Sequence, residues 1–390
     1  MLTKSWVILL GCLFCLYGYA SINLGLPAYP HLQEIFQTDA THLKLSMTLF
    51  LLGFGVAQPL WGGLSDRYGR RHISLIAMSV AIFGSLLTAL SKNIDFFFLA
   101  RFIEALGTGF TPVMTRALFV DRLDQKSMQN SMVYVVMIVS VMPGFAPVIG
   151  GYLLYFMNWQ SIYFLLMLLG IILFFIAYKK QEETLTLKSE EMSFLTFLKR
   201  YFSLIKNKRF IVYLFPYNFV LSGLLTFYAL APFIYITNLN LSPSFYGYIL
   251  VSIGAAYIVS SLLMQQLTER FSNKIMLNFG FILVLLATLL LWIFTILHIY
   301  TTLSVTLPMV LYGLSCGFIS PISNAAAMAA IKDNKGIAAA FVGTSTMLFS
   351  SFLTAVFSQF GLSSLLPLTI LITLVLCFSL LISFGFRRHK

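Results

Sequence analysis

Of thirteen acidic residues, Glu104 alone falls deep inside an apolar run. An ionisable side chain in hydrocarbon costs on the order of 3 kcal/mol or more, so its position is functional by default. Arg101 lies one helical turn before it. Arg101, Glu104, Thr108, Thr111 and Thr115 keep a 3-4-3-4 spacing that puts them on one face of a helix. The chemistry open to this face is proton binding. Burial favours the neutral carboxyl, Arg101 favours the charged one, and a change of surroundings tips the balance. A second reading makes Glu104 a permanent counter-ion of Arg101 that never titrates, and the residues alone leave both open. Cys12, Cys15, Tyr19 and Asn23 form a gentler polar stripe on another apolar run, beside Gly11, Gly18 and Gly25.

Other chemistries lack their residues. The apolar runs hold no carboxylate pair and no Ser/His/Asp set, and no G-x-x-x-x-G-K-[ST] phosphate loop exists, so ATP is not the direct driver. The five histidines are scattered through loops and ends, so neither a metal nor a cofactor is expected. Cys12 and Cys15 make a C-x-x-C with no base nearby to activate a thiol, and with Cys316 and Cys377 they read as small apolar residues. The second half of the chain has no charge inside an apolar run. Its polar candidates are Asn218, Ser222 and Thr226 at i, i+4, i+8, and Tyr312, Cys316, Ser320, Ser323 and Asn324. Taken singly, each reads more readily as glue between helices than as a ligand contact. Phe227, Tyr228, Tyr248 and Tyr257 offer aromatic walls, and together the set describes an amphipathic, largely apolar pocket.

The elements that position these residues are membrane spans. Mean hydropathy is +0.89, with 59% hydrophobic and 10% charged residues, which excludes a soluble globular chain. Twelve apolar stretches are each long enough to cross a bilayer core of roughly 30 Å. They lie at about 6–27, 43–64, 73–90, 95–119, 129–156, 160–178, 210–236, 246–267, 275–298, 303–331, 336–359 and 364–386. The first continues past Ala20 to Pro27, longer than a secretory core, so it is expected to remain as a span. The net charge of +12 is a topology signal, not a nucleic-acid footprint. With the N-terminus inside, twenty-one Lys and Arg fall on the inner side and only Lys44 and Lys92 outside, which places both termini in the cytoplasm. Arg101 and Arg116 lie within a span. The charged stretch 179–209 separates six spans from six. It is read as a cytoplasmic linker between bundles at 1–178 and 210–390, with Phe194, Leu195, Phe197, Leu198, Tyr201 and Phe202 at the spacing of a surface helix.

Between spans 2 and 3 stands Gly62-Gly63-Leu64-Ser65-Asp66-Arg67-Tyr68-Gly69-Arg70-Arg71, a turn whose charges form a compact latch at the membrane surface. A second copy, Leu267-Thr268-Glu269-Arg270-Phe271-Ser272-Asn273-Lys274, joins spans 8 and 9, and Pro27 near the end of span 1 has a counterpart in Pro232 of span 7. The first string resembles the G-x-L-[ST]-D-R-x-G-R-[RK] signature of major facilitator superfamily transporters. Further segments narrow the likeness: Leu26-Pro27-Ala28-Tyr29-Pro30, Arg101-Phe102-Ile103-Glu104-Ala105-Leu106-Gly107, Thr115-Arg116-Ala117-Leu118-Phe119-Val120-Asp121 and Gly317-Phe318-Ile319-Ser320-Pro321-Ile322-Ser323-Asn324. With Pro143-Gly144-Phe145-Ala146-Pro147-Val148-Ile149-Gly150-Gly151 they resemble the twelve-helix drug:proton antiporters of the Bcr/CflA type. The last segment is similar to the motif that marks exporters.

The resemblance implies an all-α integral membrane fold of twelve helices in two pseudo-symmetric six-helix bundles. It further implies a monomer in the cytoplasmic (inner) membrane that needs no cofactor and no nucleic acid. Such a protein exports a small amphipathic, drug-like compound by proton antiport and alternating access. A metabolite or siderophore carrier on the same scaffold is the alternative, and a polytopic membrane enzyme a distant one. Expected substrate and proton residues are Glu104, Arg101, Asn23, Tyr19, Asn218, Ser222, Ser320 and Asn324. The cytoplasmic gate is expected at Gly63, Asp66, Arg67, Gly69, Arg70 and Asp121, with Asp66 facing Gly336 and Arg70 pairing with Asp121. Pro143, Gly144, Pro147, Gly150 and Gly151 are expected to seal the outer side by close packing. The chain departs from the family at one pair. Asn23 stands where these antiporters usually carry aspartate, and Glu104 where they usually carry glutamine. If the two form a relocated proton site, their side chains approach across the gap between spans 1 and 4.

Overall fold

Proline and polar caps decide where these helices bend and begin. The computed structural model describes residues 4–184, 194–268, 270–331 and 335–385. Span 1 runs Lys4–Asn23, turns through a 3-10 segment at Leu26–Ala28 and resumes over Tyr29–Ile35. Span 7 runs Lys208–Pro232 and passes into a π-helical turn, Phe233–Asn238. Pro27 and Pro232 therefore mark matched breaks, as expected where a proline removes an amide donor. Span 4 is two helices, Ile94–Thr108 and Thr111–Arg122, with Pro112 in the first turn of the second. The remaining spans are Ala40–Tyr68, Arg70–Ala89, Gln125–Phe156, Gln160–Lys180, Pro243–Leu267, Asn273–Ile296, Thr302–Ala329, Lys335–Ser358 and Leu366–Gly385. Side-chain caps open six of the described helices: Asp39, Asn93, Asp124, Asn207, Ser242 and Thr301 each accept from an amide three residues on.

Eleven of the described helices are long and apolar enough to cross a membrane, and the twelfth carries a shorter apolar stretch, Leu366–Leu380. The chain is a multi-pass membrane protein. A surface helix forms at Phe194–Ser203, where Tyr201 stacks 4.9 Å from the Phe341 ring of span 11. Glu269 of the repeated turn, Lys332 and the terminal Arg387, Arg388 and Lys390 lie outside the described residues, as does 185–193 of the linker.

Glycines let the helices approach. A Cβ on Gly11 would meet the Phe119 ring, one on Gly18 would strike Thr111, and one on Gly25 would meet the Tyr163 hydroxyl. The glycine face of span 1 is thus covered by spans 4 and 6. Gly84 of span 3 admits the backbone of Glu104 in the same way.

The apolar core has a telling shape. At the end of the bundle opposite the Arg70 turn, one continuous cluster crosses both halves, from Leu26, Tyr29 and Phe50 to Phe227, Tyr246 and Leu353. At the Arg70 end the core divides. Val7, Phe14, Trp61 and Phe119 belong to a first-half cluster, and Tyr201, Phe210, Ala327 and Phe341 to a second-half one. The apolar core is continuous across the halves at one end and divided at the other.

Candidate functional site

Arg101 and Glu104 are fully buried within the first half. Arg101 Nη1 donates to Glu104 Oε2 at 2.8 Å and to the Ser21 carbonyl of span 1 at 3.2 Å. Its guanidinium stacks over the Phe50 ring, 4.0 Å from the centroid, with Tyr163 at 5.5 Å. Such stacking offsets part of the cost of a desolvated cation. Thr88 of span 3 approaches the same carboxylate oxygen at 3.5 Å. Glu104 Oε1 has no protein partner, nor do the buried hydroxyls of Tyr17, Ser85 and Tyr163. One carboxylate oxygen is committed to the arginine, and the other makes no hydrogen bond among the described residues.

The rest of the stripe looks at span 1. Thr115 donates to the Gly11 carbonyl at 2.9 Å and receives the Cys15 thiol at 3.3 Å. The expected approach of Asn23 to Glu104 is not made. Asn23 Nδ2 donates to the Tyr19 carbonyl of its own helix, and its Oδ1 is buried without a partner. Arg101 reaches span 1 two residues earlier, at Ser21, and so stands between the exchanged pair.

A second set of side chains meets between the halves. Tyr19 of span 1, Arg116 of span 4, Tyr217 of span 7 and Tyr257 of span 8 are only partly buried; Tyr19 and Tyr217 lie within electrostatic reach of Arg116, and Tyr257 within reach of both tyrosines and of Ser320 of span 10. Arg116 Nη1 crosses to the Ala339 carbonyl of span 11 at 2.9 Å. Asn324 presents a partly buried amide on span 10. Asn218 and Ser222, expected in this lining, are occupied elsewhere. Asn218 donates to Ser345 at 2.9 Å and accepts from Thr346 at 2.8 Å, while Ser222 donates to the Thr346 carbonyl at 3.2 Å. They staple span 7 to span 11. Sequence reasoning missed Arg116 and Tyr217 as lining residues, although a lone arginine inside an apolar run was signal enough for the first.

At the Arg70 end, Arg70 Nε lies 3.3 Å from Asp121, its Nη1 pairs with Asp66, and the same nitrogen donates to Ser65 at 2.6 Å. Asp66 was expected at the start of span 11. Instead its ion-pair partner among the described residues is Arg70, one turn on in its own segment, and no atom lies within 4 Å of where a side chain on Gly336 would begin. Arg67 is exposed and rests over the Tyr68 ring, and Gly63 lies within the helix of span 2. Gly69 has φ +99°, and a side chain there would strike the Glu183 carboxylate. Glu183 accepts from the amides of Arg70 at 2.8 Å and Arg71 at 3.2 Å, so an acid from beyond span 6 caps span 3. Thr184 donates to Asp121 at 2.8 Å, and Arg122 pairs with Glu182 at 3.3 Å. Nothing in the signature announced this return of 181–184 onto the turn. Asp121→Asn removes the negative charge that Arg70 and Thr184 share. It is expected to cut transport by about tenfold, the effect of a lost charge-assisted hydrogen bond, with membrane insertion unchanged on a blot of the membrane fraction. Undiminished transport would contradict a gating role.

Toward the end where the core is continuous, span 5 meets span 8 through small residues despite carrying Pro143 and Pro147 inside one helix. A Cβ on Gly144 would lie 2.5 Å from the Val251 backbone, and one on Gly151 2.8 Å from Pro243 and Ser244. A Cβ on Gly150 would strike the Leu24 carbonyl of span 1. Gly247 and Gly254 return the contact from span 8, against Val148 and Ser140. Both expected sealing glycines face helices, not lipid.

A fold of paired helix bundles around a central interface defines a membrane transporter. The chain belongs to the Major Facilitator Superfamily, whose profile matches residues 9–355. It is 28% identical over 346 residues to the uncharacterized transporter YdgK of Bacillus subtilis, covering 88% of this chain and 86% of that one. It is 27% identical over 315 residues to the multidrug transporter MdfA of Escherichia coli O6:H1, covering 81% and 77%. In fold it matches the partially occluded, inward-open xylose transporter XylE of E. coli, with a TM-score of 0.75 at 12% identity over 97% of this chain and 96% of that one. The protein is a transporter, not an enzyme.

Proposed function

We propose that the chain exports small amphipathic compounds from the cytoplasm in exchange for protons, binding them between its halves and alternating access by rocking one half against the other. The observation that carries this reading is the divided core: united across the halves at one end, split at the other, with Tyr19, Arg116, Tyr217 and Tyr257 between. The Arg70 end faces the cytoplasm in this reading, in keeping with the basic excess of its loops and with both termini on that side. The geometry is then that of the inward-facing state. Glu104 is the proton carrier, since among the described residues it is the one acid buried within a span. The likeness to the multidrug transporter MdfA supports drug-like substrates, and the similarity of 143–151 to the motif that marks exporters supports efflux.

Inside-out vesicles with an imposed acid-inside gradient test the proposal. Chloramphenicol, ethidium and 2-naphthoate serve as probes. Accumulation of at least one, collapsing when the gradient is dissipated, is expected. Accumulation indifferent to the gradient would leave a facilitator, and accumulation only under the reversed gradient an importer.

A further inference from the structure

Arg116 is a charge without a counter-charge. Among the described residues, the acid inside the spans is Glu104, which is committed to Arg101 inside the first half. Asp121, one turn and a little further along span 4, is held by Arg70 and Thr184. The contact Arg116 makes is with the neutral Ala339 carbonyl through Nη1. Its Nε and Nη2 have no hydrogen-bond partner among the described residues and are not fully buried. Tyr19 and Tyr217 lie within electrostatic range of it, and Tyr257 within range of both tyrosines. The second half contributes no charge to this lining.

A single neutral carbonyl leaves the charge of this partly buried guanidinium without a counter-charge. A planar fork with two free donors matches a carboxylate or sulfonate. Tyrosine walls accept a flat apolar body and leave hydroxyls for its polar edge. A cationic guest, by contrast, would meet like charge with no carboxylate to compensate.

We propose that the interface site selects anionic aromatic amphiphiles, the acid group of the guest seated on Arg116 and its ring between Tyr19, Tyr217 and Tyr257. The proposal rests on the reading of this lining as the substrate site. It separates the two jobs of charge in the molecule: Glu104 handles protons inside the first half, and Arg116 reads the substrate between the halves.

The test is equilibrium binding of radiolabelled 2-naphthoate and 2-naphthyltrimethylammonium, one ring with opposite charges, to the full-length protein in nanodiscs of zwitterionic lipid. The anion is expected to bind about tenfold more tightly. Arg116→Gln should abolish that preference, and Arg116→Lys, which keeps the charge but loses the fork, should retain part of it. Size-exclusion profiles of both variants report folding, and the lysine variant carries the test should the glutamine variant misfold. Equal or tighter binding of the ammonium, binding of neither, or an anion preference that survives Arg116→Gln overturns the proposal. Its failure is distinct from failure of the export reading. Naphthoate bound through Arg116 but never accumulated in vesicles removes export and leaves the anion site, whereas gradient-driven accumulation of ethidium with no naphthoate binding does the reverse.

Discussion

Glu104→Gln is expected to abolish transport driven by a pH gradient while leaving substrate binding and substrate-for-substrate exchange largely intact. The amide keeps the volume and an acceptor for Arg101, so the packing of Gly84 against the Glu104 backbone is unaffected. What disappears is the group that can gain and lose a proton. Exchange needs no net proton movement, so the two assays separate coupling from folding. Arg101 bonds both Glu104 and the carbonyl of Ser21, two residues from Asn23. A carboxylate at position 23 would stand two residues from the Ser21 contact that Arg101 already makes. The double substitution Asn23→Asp with Glu104→Gln should therefore recover part of the gradient-driven transport. If Glu104→Gln transports normally under a gradient, Glu104 is no more than the counter-ion of Arg101.

The second large effect is expected at the end where the core is continuous. Gly151→Val drives a branched side chain into the backbone of Pro243 and Ser244, and Gly150→Val drives one into the Leu24 carbonyl. Overpacking of this kind costs about 1–3 kcal/mol. Here the cost falls mainly on the state in which spans 5, 8 and 1 are closed together. A bias of that size changes the ratio of two states by roughly 5- to 150-fold. The expected phenotype is loss of the substrate gradient at normal expression, by leak or by trapping. Solvent-exposed cysteine labelling at that end distinguishes the two, and an unchanged gradient in both variants would contradict a sealing role.

The spans were legible because hydropathy and bilayer thickness set their length almost without reference to tertiary structure. The structure places span 2 at Ala40–Tyr68 and span 9 at Asn273–Ile296, within a few residues of the expected stretches. Pro27 and Pro232 were legible as a pair because a missing amide has the same consequence in each half. The Arg101–Glu104 contact was legible because i,i+3 residues on a helix are neighbours whatever surrounds them. Contacts between distant segments were not. Whether Asn23 turns to Glu104 or to the Tyr19 carbonyl depends on where the break at Leu26–Ala28 leaves the helix end. Asn218 and Ser222 have the spacing of a pocket lining, yet span 11 brings hydroxyls and a carbonyl close enough to occupy them. The Glu183 cap on span 3 joins residues more than a hundred positions apart and leaves no periodic trace.

The claim on which the account turns is that Glu104 gains and loses a proton in the working protein. Infrared difference spectroscopy of the purified protein in lipid, stepped between about pH 5 and pH 9, reads carboxyl protonation directly and needs no substrate. Wild type should show a buried carboxylic-acid carbonyl band that grows as the pH falls and is missing from the Glu104→Gln spectrum. A wild-type spectrum without such a band, or one whose band survives in Glu104→Gln, would contradict the account.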